Sequence, residues 1–291
     1  MVMAIMSAWA QKAVLTGKTR PLEHMKARSE GAVTGAQFMA MCDTIDFWPR
    51  EKYIVNAVLS GNIPDSLRTL HQIEFTTAVV DSVEILRKPH KVQLWVSCDY
   101  LSIGNDNDFS RIPMGPLAAQ EIVDSLGCIL PTPFMVDRIN DVAQGAIDIF
   151  PFRPVGDRNT KPMVFQDSNN AINALMKAKG YHWGMFVSGL KKDIVITCRF
   201  ANEGYNHHVG IYGWHRPDGN RVQPCYVRHT NNYVDYSHGV RLVHRTAVVD
   251  GHEMDIKEIL ESPSLYRLLS NEPTPIAKAT YAGDKPWNFN K

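Results

Sequence analysis

The segment His229-Thr-Asn-Asn-Tyr-Val-Asp-Tyr-Ser-His238-Gly concentrates groups that can do chemistry. It carries two imidazoles, a carboxylate, a serine hydroxyl, two phenols and two carboxamides. Imidazole serves as acid or base near neutral pH, and a neighbouring carboxylate can orient it. His229 or His238 is therefore read as a base oriented by Asp235, with a further partner from another strand. His208, His215, Lys192 and Asp193 are such partners, and Ser237 adds a hydroxyl. In an extended chain, His229, Asn231, Tyr233, Asp235 and Ser237 share one face, and Thr230, Asn232, Val234, Tyr236 and His238 the other. Ser237 and His238 then point apart, so one straight strand cannot build a triad with Asp235. Neither face is apolar, and buried polar groups require hydrogen-bond partners. The pattern predicts that His238 and Asp235, with His229 or His215 and with Ser237, share a polar pocket. The same demand is met by a structural network that orders loops.

Eight of the 11 histidines lie between residues 182 and 252, well above an even spread. Their spacing matches no compact zinc motif, so neither a metal nor a cofactor is expected. Gly104-Asn-Asp-Asn-Asp108 gathers oxygen donors but lacks the calcium-loop pattern, and it reads as a turn. The five cysteines are odd in number, widely spaced and without a CxxC pair. They are expected to be free, buried and in a reducing compartment.

The elements that must position these groups are those of an ordinary globular chain. Of 291 residues, 44% are hydrophobic and 21% charged. A net charge of +1 gives no basic field, which argues against nucleic acid as a partner. No apolar stretch reaches the ~18 residues of a membrane span. The apolar run near the N-terminus has no positive region before it, which favours a cytoplasmic or phage-associated setting over secretion. The chain divides into an arm over 1–32, one α+β domain over 33–272 and a tail over 273–291. Homo-oligomerisation is left open.

Helices are expected over 37–44, 49–60, 116–126, 132–142 and 169–179. Strands are expected over 72–80, 82–86, 91–97, 193–200, 208–214, 221–228 and 240–245. Pro217-Asp218-Gly219 and Asp250-Gly251 mark hairpin turns. The Pro-broken stretch 149–161 reads as a linker or long loop. Strands and helices come in runs, which predicts an α+β fold, mainly antiparallel sheet with helices packed on it. A single sheet built from 72–103 and 193–250 is expected.

His208-Val-Gly-Ile-Tyr212 resembles the histidine strand of NlpC/P60-type cell-wall cysteine peptidases. That resemblance implies His208 as the base and an upstream cysteine at a helix N-terminus as nucleophile. Longer segments, including Asp99-Tyr-Leu-Ser-Ile-Gly104, Tyr212-Gly-Trp-His-Arg-Pro-Asp-Gly219 and Val234-Asp-Tyr-Ser-His-Gly-Val-Arg-Leu-Val243, resemble a bacterial protein family without an established activity. This second likeness spans roughly residues 60–270 and implies a common fold. Two functions follow as expectations. One is a hydrolase with a His/Asp site on the C-terminal sheet, acting on cell-wall material through a small-molecule, glycan or peptide ligand. The other is a non-enzymatic structural or surface-binding protein, such as a virion component.

Overall fold

A computed structural model describes residues 11–200 and 207–283. In chain order, β1 (Val14–Pro21), α1 (Gly35–Cys42), α2 (Phe47–Leu59), β2 (Thr69–Thr76) and β3 (Lys91–Val96) come first. Then follow β4 (Ser102–Gly104), β5 (Phe109–Arg111), α3 (Pro116–Ser125), β6 (Cys128–Ile129), α4 (Pro133–Asp141) and β7 (Gly145–Ala146). Next come α5 (Pro162–Ala178), β8 (Val187–Ser188), β9 (Lys192–Val195), β10 (His208–His215), β11 (Arg221–Thr230) and β12 (His238–Gly239). The last are β13 (Val243–His244), β14 (Thr246–Val249), β15 (His252–Asp255) and α6 (Ile256–Glu261).

The fold is α+β and mainly antiparallel. The expected single sheet is instead two larger sheets. In the first, β1-β2-β3-β13-β6 lie side by side, β14 also pairs with β3, and β15 with β14. The second runs β11-β10-β9-β12, with β12 parallel to β9. The division has a plain cause: 243–255 pair onto β3, onto β6 or onto each other, whereas 192–239 pair among themselves.

Several local expectations shift. Residues 14–21, read as part of an arm, form edge strand β1 on β2, with a register shift between Leu15 and Thr19 around left-handed Gly17. Their polar sequence hides the strand because most of its side chains face solvent. Residues 1–10 of that arm and 284–291 of the tail lie outside the described residues. The expected strand over 82–86 is a single 3-10 turn at Glu84–Leu86. Strand β9 stops at Val195 because the next backbone groups bond elsewhere. Ile196 N–H donates to Pro131 O at 2.9 Å, and Cys198 N–H to the Glu272 carboxylate at 3.1 Å. Helix α5 begins at Pro162, earlier than expected, with the proline at the position where its missing N–H costs nothing. None of the five cysteines, all within the described residues, forms a disulfide.

Helix α5 and the two sheets enclose a layer of buried charge. Asp99 and Arg111 form an ion pair at 2.7 Å, both side chains 1% exposed. Arg111 also donates to Asn169 at 3.1 Å and Asn173 at 2.7 Å, both on α5. Beside it, Tyr100 donates to Asp193 at 2.7 Å, while Arg241 stacks over the Tyr100 ring at 4.2 Å. Removing one partner of a buried pair leaves an uncompensated charge, costing roughly 3–5 kcal/mol. Arg111→Met is therefore expected to lower the urea midpoint of unfolding sharply. An unchanged midpoint would show that this layer contributes little to stability.

Candidate functional site

Strand β11 ends at Thr230, and the chain then turns rather than running straight to β12. Asp235 makes the turn. Its Oδ1 accepts from Ser237 N–H at 2.7 Å and from Ser237 Oγ at 2.5 Å. An aspartate that bonds its own backbone two residues on is a compact alternative to an extended strand. The alternating faces expected for a straight segment are therefore replaced by a cluster. His229 stacks on Tyr233 at 4.1 Å, and the His238 ring lies 6.1 Å from Tyr233 and 6.5 Å from His229. Tyr233 OH donates to Asp235 Oδ2 at 3.4 Å. His238 Nε2 is 3.9 Å from Asp235 Oδ1, too far for a hydrogen bond.

The turn is clamped from below. Lys191 Nζ donates to Tyr236 O, and Lys192 N–H donates to Ser237 O at 2.7 Å. The 149–161 stretch is pinned to the same turn. Tyr236 N–H donates to Asn159 O at 3.1 Å, Tyr236 OH accepts from Phe152 N–H at 2.6 Å, and the two rings stack at 4.6 Å. The expected linker is thus one wall of a cleft of about 940 Å³. The other wall is the start of α2 with the residues before it, including Asp46, Phe47 and Arg50. Asp235, Ser237, Lys192, Tyr233 and Trp214 also line the cleft.

Trp214 reaches the cleft through strained backbone. Gly213 (φ 95°) and Trp214 (φ 53°) are both left-handed, next to a register break between β10 and β11. For a bulky side chain this conformation costs of order 1–3 kcal/mol, and such strain gathers at functional positions. The bend is held by Trp214 Nε1, which donates to Gly189 O at 2.9 Å.

Four of the sequence-selected residues, His229, Asp235, Ser237 and His238, come together. His215 does not join them. It sits at the far end of β10, with Nε2 2.9 Å from Asp137 Oδ1. There it lines a separate cavity of about 20 Å³ with Tyr100, Lys191, Asp193 and Arg241. His208 pairs with Thr230 at the start of β10. Cys198 directly precedes helical residues 199 and 200, but burial raises its thiol pKa, the opposite of an activated thiolate. Among the described residues no group of three or more His, Cys, Asp or Glu is placed to hold a metal.

The electrostatics separate the partners. Burial disfavours charge on Asp235, but nearby His238 and Lys192 and the Ser237 donors outweigh it and hold the carboxyl below its usual range. Burial pushes the His238 imidazole down to about 4. At neutral pH the site therefore holds a carboxylate beside a neutral imidazole. Ser237 is no triad nucleophile, because its Oγ donates to Asp235 and neither His238 ring nitrogen has a hydrogen-bond partner among the described residues. Burial, then Arg111, push the Lys191 ammonium down to about 7.

Sequence reading missed Glu51, Tyr233 as a cleft residue, and Trp214. Glu51 is buried on α2 and accepts from Gly115 N–H at 2.7 Å, at the start of α3. Burial pushes its carboxyl up to about 7, against the Gly115 donor and Arg50. An acidic residue directly after Arg50 on an amphipathic helix gave no distinct signal. No family model, curated protein or solved structure matches the chain.

The two shifted groups pull stability in opposite directions with pH. His238 is lowered from 6.5, so its contribution is present above 6.5 and lost as pH falls toward 4. Glu51 is raised from 4.5, so its contribution is present below 4.5 and lost as pH rises through 7. Each amounts to about 3 kcal/mol. In urea titrations between pH 4.5 and 7, His238→Asn is expected to lose stability relative to wild type as pH rises, and Glu51→Gln to gain it. Parallel pH profiles for the three proteins would contradict these assignments.

Proposed function

We propose that the cleft binds a hydroxyl-rich saccharide and that Asp235 is the group that recognises it. The observation that carries this reading is an ionised carboxylate at the floor of an open cleft, with aromatic side chains in the same lining. Sugars present vicinal hydroxyl donors on their edges and C–H faces above and below. A carboxylate accepts from the first, and Phe47, Phe152, Trp214 and Tyr233 offer surfaces to the second. Asp43, Asp46, Asp157 and Asp235 outnumber Arg50, Lys161 and Lys192 in the lining, which disfavours a polyanion such as nucleic acid. The short likeness of residues 208–212 to a cell-wall peptidase strand directs attention to cell-wall saccharide.

Asp235→Asn keeps the shape and an acceptor oxygen but removes the charge. Hydrogen bonds to a charged group contribute roughly 1.5–3 kcal/mol, so saccharide affinity is expected to fall roughly tenfold to a hundredfold. Isothermal titration with cell-wall disaccharides reads this directly. Equal affinity in the variant would remove Asp235 from the recognition role.

A second reading, hydrolysis of the bound saccharide, is favoured by His238. This imidazole is fully buried, lacks partners and lies 3.9 Å from Asp235. In this reading Asp235 takes a proton from the attacking water as its oxygen bonds the anomeric carbon, the glycosidic C–O bond breaks, the leaving oxygen takes a proton from solvent, and closure of the gap to His238 lets the imidazole share the proton on Asp235. Release of new reducing ends from cell-wall polymer, abolished in Asp235→Asn and reduced in His238→Asn, is the expected result. Binding with no product would leave the cleft a recognition site alone.

A further inference from the structure

We propose that Lys192 is the specificity-determining residue of this cleft and that the saccharide it selects carries a single carboxylate. The inference rests on the saccharide reading of the cleft and adds the charge of the ligand.

Three cations lie in the lining, of which one is buried between rings and one is ion-paired. Arg50 is buried against the rings of Phe47 and Phe165, at 5.5 and 6.0 Å. Lys161 pairs with Asp157 at 2.7 Å. Lys192 makes no hydrogen bond or ion pair through its side chain among the described residues. Its ammonium instead lies 5.2 Å from the centre of the Trp214 ring, on the strained bend of β10. The backbone around Lys192 is fixed. It is bonded to Ser237 O, paired with His238 across the parallel ladder and joined to β10 on its other side.

A half-buried ammonium with no anion in contact loses solvation and receives in return only the ring face and the longer-range field of Asp235. That arrangement is unfavourable in the free protein and favourable once an anion arrives. The nearby Asp235 acts on the ammonium through space and not by contact. Its Oδ1 is taken by Ser237, and Lys192 lies outside ion-pair distance of it. A ligand spanning both groups would place hydroxyls on Asp235 and a carboxylate on Lys192. A second negative charge on the ligand is disfavoured by Asp46 in the same lining. Trp214, beside Lys192 and in the same lining as Asp235, offers its ring to the sugar that carries the acid.

The test compares two disaccharides that differ in one carboxylate. One is the uncharged dimer of N-acetylglucosamine, and the other has an N-acetylmuramic acid unit, whose lactyl ether adds the acid. Isothermal titration of the full chain is expected to show about tenfold tighter binding of the acidic sugar at low salt, with the preference shrinking as salt rises. In K192M the ratio falls to about one, and in K192R it is largely kept. Uncharged disaccharide that binds and loses affinity in D235N, with no preference for the acid, would overturn the Lys192 assignment and leave the cleft reading intact. A preference that survives in K192M would also overturn it. Failure of wild type to bind either sugar would overturn both.

Discussion

The cleft floor depends on the parallel seam between residues 191–193 and 236–239. A parallel contact of two residue pairs is weak on its own, and this one is anchored by buried charge. Lys191 Nζ holds Tyr236 O from beneath, and Tyr100 OH bridges Lys191 O and Asp193. Gly239 is required where the seam passes Tyr100, because a Cβ there would lie 2.4 Å from the ring. Arg241 then covers the other face of the same region and donates to Ser97 and Cys98 carbonyls. The charges in this layer are costly to bury, and their mutual pairing makes the cost tolerable. The result is one geometry for the turn that carries Asp235.

From that geometry the chemical character of the site follows. Asp235 stays ionised at a largely buried position because His238, Lys192 and then the Ser237 donors of its own turn outweigh the burial that disfavours charge. His238, two residues beyond Tyr236 on the clamped seam, is too buried to hold a proton near neutrality. Its nitrogens are left without partners, while the adjacent carboxylate faces the cleft. Trp214 and Lys192 are brought in by the neighbouring strands, the first by a strained bend and the second by the register of β9. Stability is thus traded locally for a fixed arrangement of charge and aromatic surface.

Much of this was legible in the residues. Pro217-Asp218-Gly219 and Asp250-Gly251 do turn the chain between antiparallel strands. Thr132-Pro133 does open a helix, with the threonine side chain accepting from Met135 N–H. The polar density of 229–238 marked a segment where hydrogen bonds converge. Its shape was not legible, since Asp235 folds the segment into a turn that alternation cannot represent. Nor were the walls: 43–50 and 151–162 are distant in sequence and reach the site through tertiary packing. The bend at Gly213-Trp214 is invisible in a run that reads as a regular strand. His215 was misplaced for the same reason: it directly follows the left-handed Gly213-Trp214 bend, and its side chain bonds Asp137 instead.

The most direct measurement is a crystal structure of the full chain with a cell-wall disaccharide bound. The account predicts a sugar ring in the cleft against Trp214, with hydroxyls within hydrogen-bond distance of the Asp235 carboxylate. Sugar bound elsewhere, or in the cleft without a contact to Asp235, would contradict it.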